Sequence, residues 1–427
     1  MLPPEVTKAK GARTVRRSGG ALALAVLGLA AFATIRASAA LPPVPPEAGR
    51  WLPVAVRDEL PSDLAAAIDR VRWTPERVER LIHEMPKAEL HVHLDGSLSP
   101  ETIARLASDL DGSPLRGKTP ADIARLSVVS EARPSLAKVL EAFGVVFPLL
   151  RRPSAVSEAA YELARRAARS NVRYVEARFA PALLAAPGFT SEDALTAALD
   201  GLERGGRDFG LESGVIVCLL RPGLMDVDGN RAMLNLALAY RNRGVVGVDL
   251  AGDETRAPLS LYAPLFQEAR AGGLGLTVHA GEVPGSPDLA TALALGVDRL
   301  GHATRLSDHP DLQRDVAARR IPIEVNLTSN LRTSAVPDLR GHPARDWRRL
   351  GIPLAISTDD PGVFEIDLVG EYRLLRTELD FGPRDLVAVA LQSVDAAFAP
   401  AETRVRMRAT FEGTLRQLLD RLASDRY

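Results

Sequence analysis

From about residue 85 onward the chain alternates short, β-branched apolar runs with longer segments whose apolar residues recur every three or four positions. A short apolar run bounded by turn residues reads as a buried strand, and the three-to-four repeat reads as one face of a helix. Eight runs fit the first description: AELHVH, VRYVEARF, SGVIVCLL, VVGVDLAG, LGLTVHAG, RLGHAT, IPIEVNLT and PLAIST. Segments such as SEAAYELARRAAR and DLQRDVAAR fit the second. Strand followed by helix, eight times over, predicts an α/β fold: a (β/α)8 TIM barrel with extra N-terminal and C-terminal helices. The segment SLAKVLEAFGVVF (Ser135 to Phe147) puts Leu136, Val139, Leu140, Phe143 and Phe147 along one face and predicts an amphipathic core helix.

The first 60 residues follow another pattern. A basic start (Lys8, Lys10, Arg13, Arg16, Arg17) precedes the apolar run ALALAVLGLAAFATI and the small-residue triplet ASA. This order predicts a signal peptide over 1–39, cleaved near Ala39, and export to a bacterial periplasm or beyond. The apolar run falls short of the roughly 20 residues that a spanning helix needs, so an uncleaved membrane anchor is the second reading. Arg16-Arg17 matches only the arginine pair of a twin-arginine signal. LPPVPPEAGRWLP predicts a stiff Pro-rich linker within 40–60, leaving 61–427 as the folded domain.

Charge and cysteine content narrow the partners. Lys and Arg total 53 against 54 Asp and Glu, and a net charge of −1 offers no broad attraction to nucleic acid or an anionic membrane. The partner this leaves is a small molecule. Cys218 is the single cysteine, which excludes an intramolecular disulfide and a thiolate-built metal site. Its apolar surroundings, GVIVCLL, predict a buried and inert thiol.

The histidines are placed unevenly. Alternate residues of a strand share a face, so His91 and His93 in AELHVH point the same way. A (β/α)8 barrel carries its chemistry at the C-terminal strand ends. His91 and His93 end the first run, His279 the fifth and His302 the sixth, while Asp359 and Asp360 end the eighth. Four of the 7 histidines therefore converge on one mouth beside a carboxylate pair. Neutral imidazoles with one carboxylate suit Zn²⁺ and leave a position for water. VVGVDLAGDE holds no lysine that could bridge a second ion, which predicts a single metal. His83, His309 and His342 fall in helical or loop context and are expected at the surface.

The motifs MPKAELHVHLDGSLSPETI, NVRYVEARFAP, VVGVDLAGDE, VHAGE, RLGHATRL, TSN and STDDPGVF, in this order, resemble the adenosine deaminases, zinc-dependent barrel hydrolases of the amidohydrolase superfamily. The resemblance runs from about Pro86 to the C-terminal helices. It implies hydrolytic deamination of adenosine and 2′-deoxyadenosine to the inosine nucleosides and ammonia, at one Zn²⁺ held by His91, His93, His279 and Asp359. It further implies that His302 orients the attacking water or takes its proton, and that Glu282 is a protonated carboxyl donating to purine N1. Asp360 would accept a hydrogen bond from the water or a purine nitrogen. The Gly252 amide would reach purine N3, Asp95 would lie near the ribose hydroxyls, and the Ser135 to Phe147 segment would cover the pocket. Adenine, a modified adenosine or an aminofutalosine-type nucleoside would use the same residues. A secreted nucleoside-binding protein without catalysis is the reading from another class. Two departures stand near the pocket: GHAT where the family usually has glycine after the histidine, and VNLTSN where many bacterial members have cysteine and proline before TSN.

Overall fold

The computed structural model describes residues 56–57, 59–130, 139 and 141–424. The expected signal peptide and most of the expected linker lie outside the described residues. Val56, at the end of the stretch expected as linker, is buried in the main core, and its carbonyl accepts from Arg320 Nε at 2.7 Å. Among the described residues no helix is long and apolar enough to cross a membrane.

The eight expected strands appear as nine: β1 (Lys87–His93), β2 (Val172–Phe179), β3 (Glu212–Leu220), β4 (Val245–Ala251), β5 (Gly275–Leu276), β6 (His279–Ala280), β7 (Leu300–His302), β8 (Ile323–Val325) and β9 (Leu354–Ile356). The extra break divides LGLTVHAG. There the Asp298 carboxylate takes the Leu276 amide at 2.8 Å, substituting a side chain for a ladder carbonyl. All pairings are parallel, with β1 to β5 in one sheet and β6 to β9 in the other. The sheets join at both seams. The Thr277 amide donates to Val248 O at 3.1 Å, and the segment after β9 pairs with β1 through His93 N to Asp359 O (2.7 Å) and Asp359 N to His91 O (3.0 Å). The result is the (β/α)8 barrel. After β7 and β9 the chain turns as it nears the mouth, with φ of +59° at His302, +51° at Ala303 and +64° at Asp359.

The helical layer follows the apolar repeat. Helix Pro153–Arg169 buries Ala155, Val156, Ala159, Ala160, Leu163, Ala164 and Ala167, one apolar stripe dominated by alanine. It packs on helix Ser191–Phe209, whose start is closed by a Thr190–Asp193 capping box. The approach is close enough that a Cβ on Gly201 would stand 2.1 Å from Ser157 O. The extra helices Ser62–Arg70 and Ala401–Ser424 pack together, and Pro383–Ala396 packs on β1 and β9. Phe398 plugs the barrel floor: its ring would meet a Cβ on Gly247 or Gly275, and the Arg299 guanidinium lies 3.5 Å from its centroid.

Of the expected Ser135 to Phe147 helix, residue 139 and residues from 141 are described, and Glu141–Val145 is a 3₁₀ helix. Gly144 and Pro148 disfavour continuation as α-helix. Val139 and Phe143 nevertheless pack with Val363 and Phe364, in the turn of helix Pro361–Phe364 that follows Asp360.

Candidate active site

Strand β1 reaches the mouth with a register shift against β2 between Glu89 and Val92. The amides of Leu90 and His91 both donate to Ser357 Oγ, at 3.2 and 3.1 Å, instead of to a strand carbonyl. Such bulges re-aim side chains. The Nε2 atoms of His91 and His93 stand 3.2 and 3.3 Å from Asp359 Oδ1, and those of His93 and His279 are 3.4 Å apart. One ligand atom from each of the four residues lies within 4.8 Å of the others. Asp359 occupies a left-handed conformation that costs a non-glycine residue about 1–2 kcal/mol. Its two main-chain hydrogen bonds to β1 hold it there.

These residues fit a divalent metal. Glu324 Oε2 accepts from His91 Nδ1 at 2.6 Å, so Nε2 carries a lone pair, and that buried atom makes no hydrogen bond. Asp249 Oδ2 lies 2.9 Å from His279 Nδ1 and orients that ring in the same way. Burial pushes His93 down to about 3, into the neutral form that ligates. Burial opposes the charge of Asp359, but His91, His302 and His93 outweigh it and hold its carboxyl well below the usual range. Asp249 raises His279, favouring its protonated form against the effect of burial, and a cation among these crowded nitrogens and the Asp359 carboxylate would take the place of that proton.

Behind the ligands lies a dry charge network. Arg178 spans Asp249 (3.0 Å) and Glu324 (2.9 Å), and Arg299 joins Glu324 (2.6 Å) to Glu176 (2.7 Å). Removing Arg178 would strip buried carboxylates of their counterion at a cost of about 3–5 kcal/mol, so it would report on folding before metal. Asp249→Asn isolates the metal, because Glu324 still holds Arg178. Its expected effect is an affinity for Zn²⁺ lowered about 10- to 100-fold, measured by competition with a chromophoric chelator.

Acids face the ligands. Glu282 Oε2 lies 3.9 Å from His302 Nε2, which in turn stands 3.8 Å from Asp359 Oδ2. Burial and then the charge of Asp359 push Glu282 up to about 8, so it is protonated at neutral pH. Its amide and that of Gly281 donate to the two oxygens of Glu254 at 2.8 and 2.9 Å, so the last residue of DLAGDE clamps the turn that presents the acid. Burial, then Asp359, Asp95 and Glu282, raise Asp360 well above the ordinary range. Burial likewise pushes Asp95 up to about 7. Gly252 has φ of +98° just after β4, a conformation that favours glycine.

Gly96 explains how Asp360 fits. A Cβ there would stand 1.8 Å from Asp360 Oδ1. Gly96→Ala must therefore displace that carboxyl, and a displacement of about 1 Å costs on the order of 10²-fold in rate. Steady-state kinetics should show that loss with the full metal content retained.

The adenosine deaminase family model matches residues 86–412, a span that brackets every expected site residue. The chain belongs to the adenosine deaminase family. The adenosine deaminase of Lacticaseibacillus casei is 34% identical over 330 residues, 77% of this chain and 95% of that one. Among solved structures, an amidohydrolase from Burkholderia ambifaria with bound Zn is similar at a TM-score of 0.74 and 28% identity, over 83% of this chain and 98% of that one. The N6-mAMP deaminase of Arabidopsis is similar at 0.70 and 28% identity, over 78% and 99%. The four candidate metal ligands and the buried Glu282 carboxyl all fall within the matched span. Ala303, where adenosine deaminases usually have glycine, sits at a φ that glycine would adopt without strain.

The barrel mouth brings together His91, His93, His279, Asp359, His302, Glu282, Asp360 and Asp95, while Gly252 follows the end of β4 with Arg221 and Leu224 nearest to it. Cys218 is buried, as expected. His83 and His309 are exposed. His342 is not: its side chain is buried, with Nδ1 accepting from the Ala344 amide at 3.1 Å and Nε2 3.1 Å from Asn330 Oδ1. A loop histidine can be enclosed when both its nitrogens are satisfied. Local pattern also gives no role to Asp249, Glu324, Arg178, Ser329 or Asn330. Ser329 Oγ donates to Asp359 Oδ2 at 2.7 Å, and Asn330 Nδ2 lies 3.0 Å from His302 Nδ1. The usable signal was Asp249 and Glu324 themselves, carboxylates inside apolar strand runs, which need a buried partner.

Proposed function

We propose that this protein hydrolyses adenosine and 2′-deoxyadenosine to inosine and 2′-deoxyinosine with release of ammonia, using one Zn²⁺ held by His91, His93, His279 and Asp359. The observation that carries the reading is the buried Glu282 carboxyl, 3.9 Å from the same His302 Nε2 that stands 3.8 Å from the candidate ligand Asp359, with burial raising its pKa. The bound Zn present in the Burkholderia ambifaria relative and the donor types here support the choice of metal. When bound, Zn²⁺ supplies the Lewis acidity that makes water nucleophilic near neutral pH. Glu282 donates its proton to purine N1, which turns C6 into an electrophile; as the C6–O bond forms and the C6–N bond breaks, a proton shed by the attacking water passes to the amino group, which leaves as ammonia. His302 orients the attacking oxygen and stabilises the charge that develops there. Asp360 hydrogen-bonds the attacking oxygen or a purine nitrogen, Gly252 offers its amide to the ring, and Asp95 lies toward the sugar. Val139 and Phe143 provide an apolar wall beyond Asp360.

A second reading has its own support, the likeness to a deaminase named for N6-mAMP. The test compares kcat/KM of the zinc-loaded protein for adenosine, 2′-deoxyadenosine, adenine and N6-methyl-AMP. Adenosine and its deoxy form should lead. A preference for adenine or the nucleotide overturns the substrate, and no turnover of any of them overturns the function. We further propose export, on the basic start, apolar run and ASA triplet. N-terminal sequencing of fractionated protein should find a start near Ala40. A cytoplasmic form beginning at Met1 overturns export, and a membrane-bound form retaining Arg36 replaces the cleaved signal with an anchor.

A further inference from the structure

His342, Asn330 and His302 form one buried chain of hydrogen bonds, with the three side chains 2%, 0% and 1% exposed. The direction of every bond follows from its first member. A backbone N–H can only donate, so the Ala344 amide, 3.1 Å from His342 Nδ1, makes that nitrogen an acceptor. The ring then carries its proton on Nε2 and donates to Asn330 at 3.1 Å. The Asn330 atom facing it is therefore the carbonyl oxygen. That leaves the Asn330 NH₂ group pointing at His302 Nδ1, 3.0 Å away, where Asn326 Nδ2 also lies at 3.3 Å. With the Asn330 donor aimed at Nδ1, the neutral His302 ring carries its proton on Nε2. That nitrogen faces the space between Asp359 and Glu282.

We propose that His342 is a positioning residue for the deamination: acting through Asn330, it holds His302 as the Nε2–H tautomer, so that His302 presents a hydrogen-bond donor to the attacking oxygen. The inference rests on the deaminase reading and deepens it, choosing between the two roles that family resemblance leaves to this histidine. A ring already protonated at Nε2 cannot take a proton there. It orients the nucleophile and stabilises negative charge on oxygen as the bond to C6 forms. Other groups about the chain agree with a neutral relay. Burial pushes His342 down to about 3, and Trp347 packs against its ring edge-on at 6.0 Å between centroids. The left-handed backbone of His302 and Ala303 leaves the ring at a strained turn, where a side-chain tether has an orienting task to perform.

Two measurements test this. In the zinc-loaded wild-type protein, with histidine labelled at nitrogen and His302 assigned by difference from His302→Ala, nitrogen-15 NMR should show His302 protonated at Nε2 and bare at Nδ1. A proton on Nδ1 overturns the proposal, and that result does not depend on how any His342 variant folds. The second measurement replaces His342. His342→Phe keeps a ring beside Trp347 but donates nothing, and kcat for adenosine should fall about 10- to 100-fold, with zinc content unchanged and KM within about two-fold. His342→Gln restores an amide donor toward Asn330 and should recover most of that loss. Equal kcat in wild type and His342→Phe, or equal loss in both variants, overturns it. A wild-type protein that turns over no adenosine sinks the function reading instead, and the NMR result still stands as a separate answer on the tautomer.

Discussion

Glu282→Gln is expected to lower kcat by about 10²- to 10⁴-fold while the protein keeps its metal and its fold. The substitution preserves shape, and the Glu254 clamp acts on the main chain, so the turn that presents residue 282 is unaffected. What disappears is a transferable proton. Glutamine can offer an N–H to purine N1 but cannot protonate it, and the loss of general-acid catalysis corresponds to about 3–5 kcal/mol in the barrier. The pH dependence follows with its sign. An acid that must be protonated works below its pKa, so kcat/KM should fall as pH rises through about 8. A cation among the ligands favours the carboxylate and acts against burial, so this limb should lie no higher. The variant should lack the limb altogether. Steady-state rates from pH 5 to about 10, with metal analysis of the same samples, check both statements. A variant within ten-fold of wild type would remove Glu282 from the mechanism.

His93→Ala is expected to empty the metal site and lower activity by at least about 10³-fold, since a metal ion supplies several kcal/mol of transition-state stabilisation. Among the ligands it is the informative one to remove. Its side chain is 15% exposed where that of His91 is fully enclosed. Replacing His91 or His279 would also leave Glu324 or Asp249 with one fewer partner inside the charge network, mixing loss of metal with loss of stability. His93→Ala avoids that, so its thermal unfolding should match that of chelator-treated wild type. Metal analysis after dialysis should find well under one equivalent. A variant that retains a full equivalent and full activity would show that the ion is held elsewhere.

Much of this protein was legible in the chain itself. The period-two placement of His91 and His93 in AELHVH decides that both rings share a face, because a strand alternates its side chains whatever surrounds it. The eight apolar runs fix where the barrel wall passes, because burying them is the dominant gain of folding. Position at a run's end is enough to select His279, His302, Asp359 and Asp360. These are local properties, set by residues within a few positions of each other.

The rest depended on closure of the barrel. Arg178 meets Glu324 across 146 residues and His91 meets the same carboxylate across 233, distances in the chain over which no periodicity carries information. Gly96 matters only because Asp360 arrives against it. The fifth strand breaks because a carboxylate from another segment takes its amide. His342 looks like a surface loop residue until Asn330 and the Ala344 amide satisfy both its nitrogens. Local sequence determines which way a side chain faces. Which group it meets, and so its charge, tautomer and task, is decided when distant segments are enclosed together and every buried polar atom must find a partner.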